Sequence, residues 1–181
     1  MITSQKGIDL IKEFEGFEPV TYTDAVGVKT IGYGTALFTP EVIARYDGRT
    51  ISVSEAEQLL QLHLSNNVEP FIRSLVTVEI NQNQFDALSS FIYNVGAGNF
   101  RNSTLLKVIN RGGTKEEIKA QFERWNKGRV NGELVELKGL TRRRNKESDL
   151  YFAMDSKKKV LIFVIVALTT FAIYLLYRNL K

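Results

Sequence analysis

The stretch from Ile11 to Gly34 restricts the possible fold more than any other part of the chain. Ile8, Ile11 and Phe14 recur at the spacing of one helical face, and Ser4 stands where an N-cap belongs. Gly16 ends this helix, because glycine enters the left-handed region at low cost. From Val20 onward the chain turns to Val, Thr, Tyr and Ile, punctuated by Gly27, Gly32 and Gly34, which is the pattern of a hairpin. A helix running directly into a hairpin, with helical periodicity resuming afterwards, predicts an α+β chain.

The same stretch carries the chemistry. Glu15 falls in the last helical turn, beside Phe14 and Phe17. An apolar surround disfavours a carboxylate, as a general acid working near neutral pH requires. With Gly27 at the centre of the turn, paired residues sum to 54, so Asp24 is expected to face Thr30 about 5 Å away. A carboxylate and a hydroxyl side by side can orient a water. An acid opposite them completes a layout for glycoside hydrolysis.

Glu15, eight residues, Asp24, five residues, Thr30, then Ile31-Gly32-Tyr33-Gly34 resembles the catalytic signature of the phage-type lysozymes. The run from Gln84 to Asn110 is similar to the lambdoid branch of that family. It carries Phe85-Asp86-Ala87-Leu88, the spacing Asn94-x-Gly96-x-Gly98, and Ser103-Thr104-Leu105-Leu106. The likeness covers about residues 2 to 153. It implies a lysozyme-like two-lobed α+β fold, with a small β-hairpin lobe and a larger helical lobe. It implies that Glu15, Asp24 and Thr30 are catalytic, with peptidoglycan glycan strands as substrate and no cofactor. Tyr93, Asn94 and Ser103 would line the saccharide cleft, and Arg124, next to Trp125, would reach the acidic peptide stem. One position departs from the pattern: Thr35 stands where many relatives carry a His. The rival reading is a non-catalytic murein-binding or membrane-lesion protein that keeps such a cleft without its chemistry.

Between these landmarks the chain reads as helices. Phe38 to Arg45 suits a short helical turn, and Ser54 with Glu57 fits a capping box. The apolar positions from Ala56 to Leu75 describe one long connecting helix that Pro70 should kink or split. Asn81 opens the next helix, Ser103 caps a short one, and Thr114 with Glu117 forms a further capping box. Asn126 to Leu137 reads as a hairpin or irregular loop. Thr141 is expected to cap a closing helix whose arginines, Arg142, Arg143 and Arg144, are solvated or on the cleft rim.

The C-terminal stretch is of another kind. Val160 to Tyr177 is 18 residues without a charge. As a helix it would be about 27 Å long, close to a hydrocarbon core. Lys157, Lys158, Lys159 and Arg178 flank it, with Tyr174 and Tyr177 near one end. The expected division is a catalytic domain over residues 1–155 and a transmembrane anchor over 156–181. The tail holds five of the Lys and Arg residues and no acid, whereas residues 1–155 hold 19 basic and 20 acidic side chains. The basic balance therefore belongs to the tail and points to a lipid membrane, with no nucleic acid as partner. Residues 140–159 carry seven Lys and Arg against two beyond the apolar run. The positive-inside rule then puts the enzyme domain on the cytoplasmic side of a single-pass, tail-anchored protein, in a host inner membrane or a virion membrane. The absence of a basic, then apolar, N-terminus agrees. Cys is absent and His63 is the only His, which excludes disulfides, a Cys nucleophile and a His-based metal site.

Overall fold

The computed structural model describes residues 1–24, 27–37, 39–154, 165, 166 and 168–170. Helix α1 (Gln5–Glu15) leads into a three-stranded sheet of β1 (Glu18–Thr23), β2 (Lys29–Gly32) and β3 (Thr35–Ala36), in that spatial order. Helices α2 (Pro40–Tyr46), α3 (Val53–Asn67) and α4 (Glu69–Leu75) follow. Then come α5 (Gln82–Val95), α6 (Ala97–Asn102), α7 (Thr104–Asn110) and α8 (Lys115–Glu123). A second hairpin, β4 (Lys127–Val130) and β5 (Glu133–Glu136), precedes α9 (Lys138–Phe152). The result is α+β, with small sheets and a helical lobe. The apolar run 160–177 and the proposed anchor 156–181 fall almost wholly outside the described residues. Among the described residues, no helix is long and apolar enough to cross a membrane.

The helical lobe is built around α5. Asn83 and every residue from Phe85 to Ile92 are buried, so neighbours enclose it on all sides. Phe91 meets Phe100, Phe122 and Trp125 edge-on at 6.2, 5.4 and 5.6 Å, contributions worth about 0.5–1.5 kcal/mol per pair beyond area burial. Helices α1 and α9 pack against the same helix. Gly7 lets α1 approach closely, since a Cβ there would lie 2.7 Å from Thr3 Cγ2 and 3.0 Å from Asp86 Cβ. The capping boxes at Asn81 with Gln84 and at Thr114 with Glu117 are formed, and Ser103 caps α7. Pro70 does split the connecting helix: α3 ends at Asn67, Val68 leaves helical geometry, and the proline sits in the first turn of α4. There its missing N–H costs no hydrogen bond.

Four local expectations are corrected. The capping box of α3 is formed by Ser52 and Glu55, not by Ser54 and Glu57, which lie two residues inside the helix. Helix α9 begins at Lys138 with Leu137 as N-cap, and the Thr141 hydroxyl, one turn in, donates to the Leu137 carbonyl. Ser4 is the N-cap of α1 by position, yet its hydroxyl bonds Asp86 of α5 rather than its own helix. The first hairpin is shifted by two: Tyr22 pairs with Thr30 and Thr23 with Lys29, so Asp24 does not face Thr30. The turn is longer than a Gly27-centred one, because Asp24 both accepts from and donates to Val28. A shift of two preserves side-chain parity, so Asp24 and Thr30 still share a face, as diagonal rather than direct neighbours.

Candidate active site

Glu15 is the last residue of α1, and Gly16 takes φ +73° to turn the chain into β1. The Glu15 side chain is 21% exposed, and its Oε1 accepts a 2.6 Å hydrogen bond from Arg143 Nη1. The expected apolar surround is thereby corrected: α9 places a buried guanidinium directly on the carboxyl. Gly34 forms the opposite wall with φ +78°, and a Cβ there would lie 3.3 Å from Glu15 Oε2 and 3.7 Å from Tyr93 Oη. That close approach, together with the left-handed backbone, requires glycine.

The hairpin contributes three side chains. Thr30 is buried, and its hydroxyl donates to the Val28 carbonyl at 3.1 Å. The half-buried Asp24 accepts from the Val28 N–H at 2.8 Å. Tyr22 sits on the same face, paired with Thr30. Burial pushes the Tyr22 phenol up, and the charges of Glu15, Glu18 and Asp24 push it further. Gly34, two residues beyond β2, abuts the Glu15 carboxyl, so the β2 end of the sheet borders the acid.

Tyr93 projects from α5 and donates to the Tyr33 carbonyl at 2.6 Å. Burial, then the negative charge of Glu15, drives its phenol upward. It lies in the wall beside the acid, with its hydroxyl proton committed to the backbone and its ring met edge-on by His63 at 5.1 Å. Asn94 is exposed, and its Oδ1 accepts from Arg144 Nη2 at 2.7 Å. Arg124, the exposed C-cap of α8, borders a cavity of about 530 Å³ that Arg144 and Thr141 also line. Ser103 is buried as the α7 cap: its hydroxyl donates to Phe100 O and accepts from Leu106 N. Tyr93 thus shares the Gly34 wall with Glu15, Asn94 is tied to the site through α9, and Arg124 only through the Arg144 cavity, while the Ser103 hydroxyl is spent on its own helix.

Sequence reasoning missed the α9 contribution. Only Arg142 is solvated, pairing with Glu13 at the surface, whereas Arg143 and Arg144 are buried. Glu147 Oε1 accepts from Ser90 Oγ at 2.8 Å, Arg143 Nε at 3.1 Å and Arg144 Nη2 at 3.3 Å. Arg144 Nε lies 3.1 Å from Glu147 Oε2, but off the line of a hydrogen bond. Burial pushes the Glu147 carboxyl up against the opposing pull of the two arginines, and pushes Arg144 down to about 10. The available signal was the i, i+3 and i, i+4 spacing of Arg144 and Arg143 to Glu147 on a helix that otherwise offers few apolar residues. Among the described residues no cluster of His, Cys, Asp and Glu could hold a metal ion.

A family model described as Phage lysozyme matches residues 12–147. The endolysin of Acyrthosiphon pisum secondary endosymbiont phage 1 is 35% identical over 151 residues, covering 83% of this chain and 98% of that protein. The endolysin of Bacillus phage PZA is 40% identical over 156 residues, or 83% of this chain, which spans just over half (55%) of that longer relative. Among solved structures, the endolysin from Escherichia coli O157:H7 phage FAHEc1 superposes with a TM-score of 0.74 at 37% identity, covering 84% of this chain and 94% of that one. The match to the family begins inside α1 and ends at Glu147, so it spans every residue of the candidate site, and the chain belongs to the phage lysozyme family of glycoside hydrolases.

Proposed function

We propose that this chain is a muramidase that hydrolyses the β-1,4 bond between N-acetylmuramic acid and N-acetylglucosamine in peptidoglycan. Glu15 donates a proton to the leaving oxygen, Thr30 positions the attacking water, and Asp24 orients that water or stabilises the developing positive charge. The observation that supports this reading is the close approach of the sheet to the acid: a Cβ on Gly34, two residues beyond the strand that carries Thr30, would lie 3.3 Å from Glu15 Oε2. Local geometry supports the division of labour. Arg143 occupies Glu15 Oε1, which leaves Oε2 to carry the proton. The Thr30 proton is committed to Val28 O, so its hydroxyl offers lone pairs to a water. Tyr93, Asn94, Ser103 and Arg124 are the proposed saccharide and peptide contacts, with the Ser103 hydroxyl already engaged.

Glu15→Gln tests the reading, since an amide cannot supply the proton. Murein hydrolysis should fall by at least 10²-fold with an unchanged cooperative melt. A folded variant keeping more than a tenth of the parent rate would sink the assignment. A parent that binds murein without cleaving it would favour a binding protein instead.

Residues 1–155 are the proposed catalytic domain and 156–181 a single-pass membrane anchor. The support is the uncharged run 160–177 with lysines at 157, 158 and 159. The excess of basic residues before the run favours a cytoplasmic enzyme domain, in a host inner membrane or a virion membrane. The full chain should stay with membranes after alkaline carbonate washing, and a chain ending at residue 155 should wash off. Equal release of both would remove the anchor.

A further inference from the structure

Three buried charges sit behind the proposed acid, and the mechanism above uses only the nearest. Glu147 is fully enclosed between α9 and α5. Its Oε1 gathers Ser90, Arg143 and Arg144 at once. Each arginine has a second engagement. Arg143 uses Nε for Glu147 and Nη1 for Glu15, and its Nη2 donates to the Ser90 carbonyl at 3.2 Å. Arg144 uses Nη2 for both Glu147 and Asn94. One carboxylate therefore fixes two guanidinium planes, one aimed at the acid and one at an exposed amide beside it.

A core of this kind is a poor source of stability. Two cations and one anion are taken out of water, and well-packed apolar residues of similar volume would often do as well or better. Arg144 Nη1, Glu147 Oε2 and Ser148 Oγ also lack hydrogen-bond partners among the described residues. A buried, incompletely bonded cluster next to a reacting group fits the expense of pre-organising a site.

We infer that Glu147 is a positioning residue: it holds Arg143 against Glu15 Oε1 and Arg144 against Asn94, so that the acid and the cleft rim are set by one buried carboxylate. The inference rests on the proposed muramidase reading. The groups facing Glu15 are Arg143 of α9, Tyr93 of α5 and Tyr22 of β1, with the charge of Arg144 also felt there. Those facing Glu147 are Arg143, Arg144 and Ser90. Removing the negative charge of Glu147 makes the field at the acid more positive, and removing the positive charge of Arg144 does the reverse.

The test compares Glu147→Gln and Arg144→Met with the full-length parent. Murein hydrolysis would be followed across pH, with separate kcat and KM, and the Arg143 Nε–H signal would be followed by ¹⁵N NMR. Glu147→Gln should lower kcat at least tenfold and move the alkaline fall of the rate to lower pH by roughly half a unit or more. Arg144→Met should move that fall to higher pH and raise KM through Asn94. The Arg143 Nε–H signal, protected from solvent exchange in the parent, should lose protection in Glu147→Gln. A merely structural role would lower the melting temperature of both variants and leave the pH limb in place. An unmoved or wrongly signed limb in either folded variant overturns the inference, and so does failure of both variants to fold. If the parent does not hydrolyse murein, the muramidase reading falls. The Arg143 signal then decides alone, retained protection in Glu147→Gln counting against the positioning role.

Discussion

The β1–β2 hairpin and helix α9 both gather polar groups of the candidate site, under opposite physical conditions. The hairpin does so by local register: Tyr22, Asp24 and Thr30 share a face because β-strand side chains alternate, and the two strands lie close in sequence. Tyr22 and Asp24 are open or half-open to water, Thr30 is buried, and both Asp24 and Thr30 are satisfied by the nearby Val28 backbone. Helix α9 does so by tertiary packing: Arg143 reaches Glu15 across 128 positions of sequence and is held by Glu147 inside the lobe. The difference teaches that the site has a cheap half and an expensive half. Losing a hairpin group is expected to cost little stability, whereas losing an α9 group strands a buried charge.

The largest expected effect breaks the expensive half. Glu147→Ala leaves two buried guanidinium groups facing each other without their anion, and should cost about 3–5 kcal/mol of stability. Chemical denaturation measures it. A loss below about 1 kcal/mol would mean that water reaches the cluster and that the contrast with the hairpin is false.

Thr30→Ala probes the cheap half. Only a hydrogen bond to Val28 O is lost, so stability should fall by about 1 kcal/mol, while murein hydrolysis should fall by about 10²-fold or more. Thr30→Ser keeps the hydroxyl and should retain far more activity. Equal rates for the two variants would make the hydroxyl irrelevant.

The smallest effect lies between the halves, at His63. Burial depresses this imidazole, so the folded protein takes up its proton less readily than the unfolded chain, whose pKa is about 6.5. Its contribution is neutral above that value, and stability is lost as pH falls from about 6.5 toward the depressed folded value. Between pH 7 and 5 the parent's melting temperature should fall more than that of His63→Gln. Parallel curves would place His63 in water rather than against Tyr93.

Much of the helical lobe could be read from the sequence. Asn81 with Gln84, Thr114 with Glu117, Ser103 and the split at Pro70 are set by interactions within a few residues, so they survive without knowledge of the rest of the chain. Near misses came where two local solutions compete. Ser52 and Ser54 both precede a Glu by three, and it is Ser52, next to the buried Ile51, that caps the helix. The hairpin register differs by two from the glycine-centred one because Asp24 bonds Val28 on both sides, and that longer turn outweighs the simplest one.

By itself the sequence determined the chemical alphabet of the site: Glu15 at a helix end, Asp24 and Thr30 on one ribbon face, and glycine at position 34. These follow from short-range spacing and backbone sterics, which act alike in any context. Only the tertiary structure decided what surrounds Glu15. Side chains that read as solvated or cleft-rim arginines became a buried guanidinium on the carboxyl and a second guanidinium on Asn94, with a glutamate holding both. Charge on a helix is ordinarily driven to water by desolvation. Whether partners inside the fold can offset that penalty depends on groups brought together from α1, α5 and α9, and no local pattern in the chain encodes that meeting.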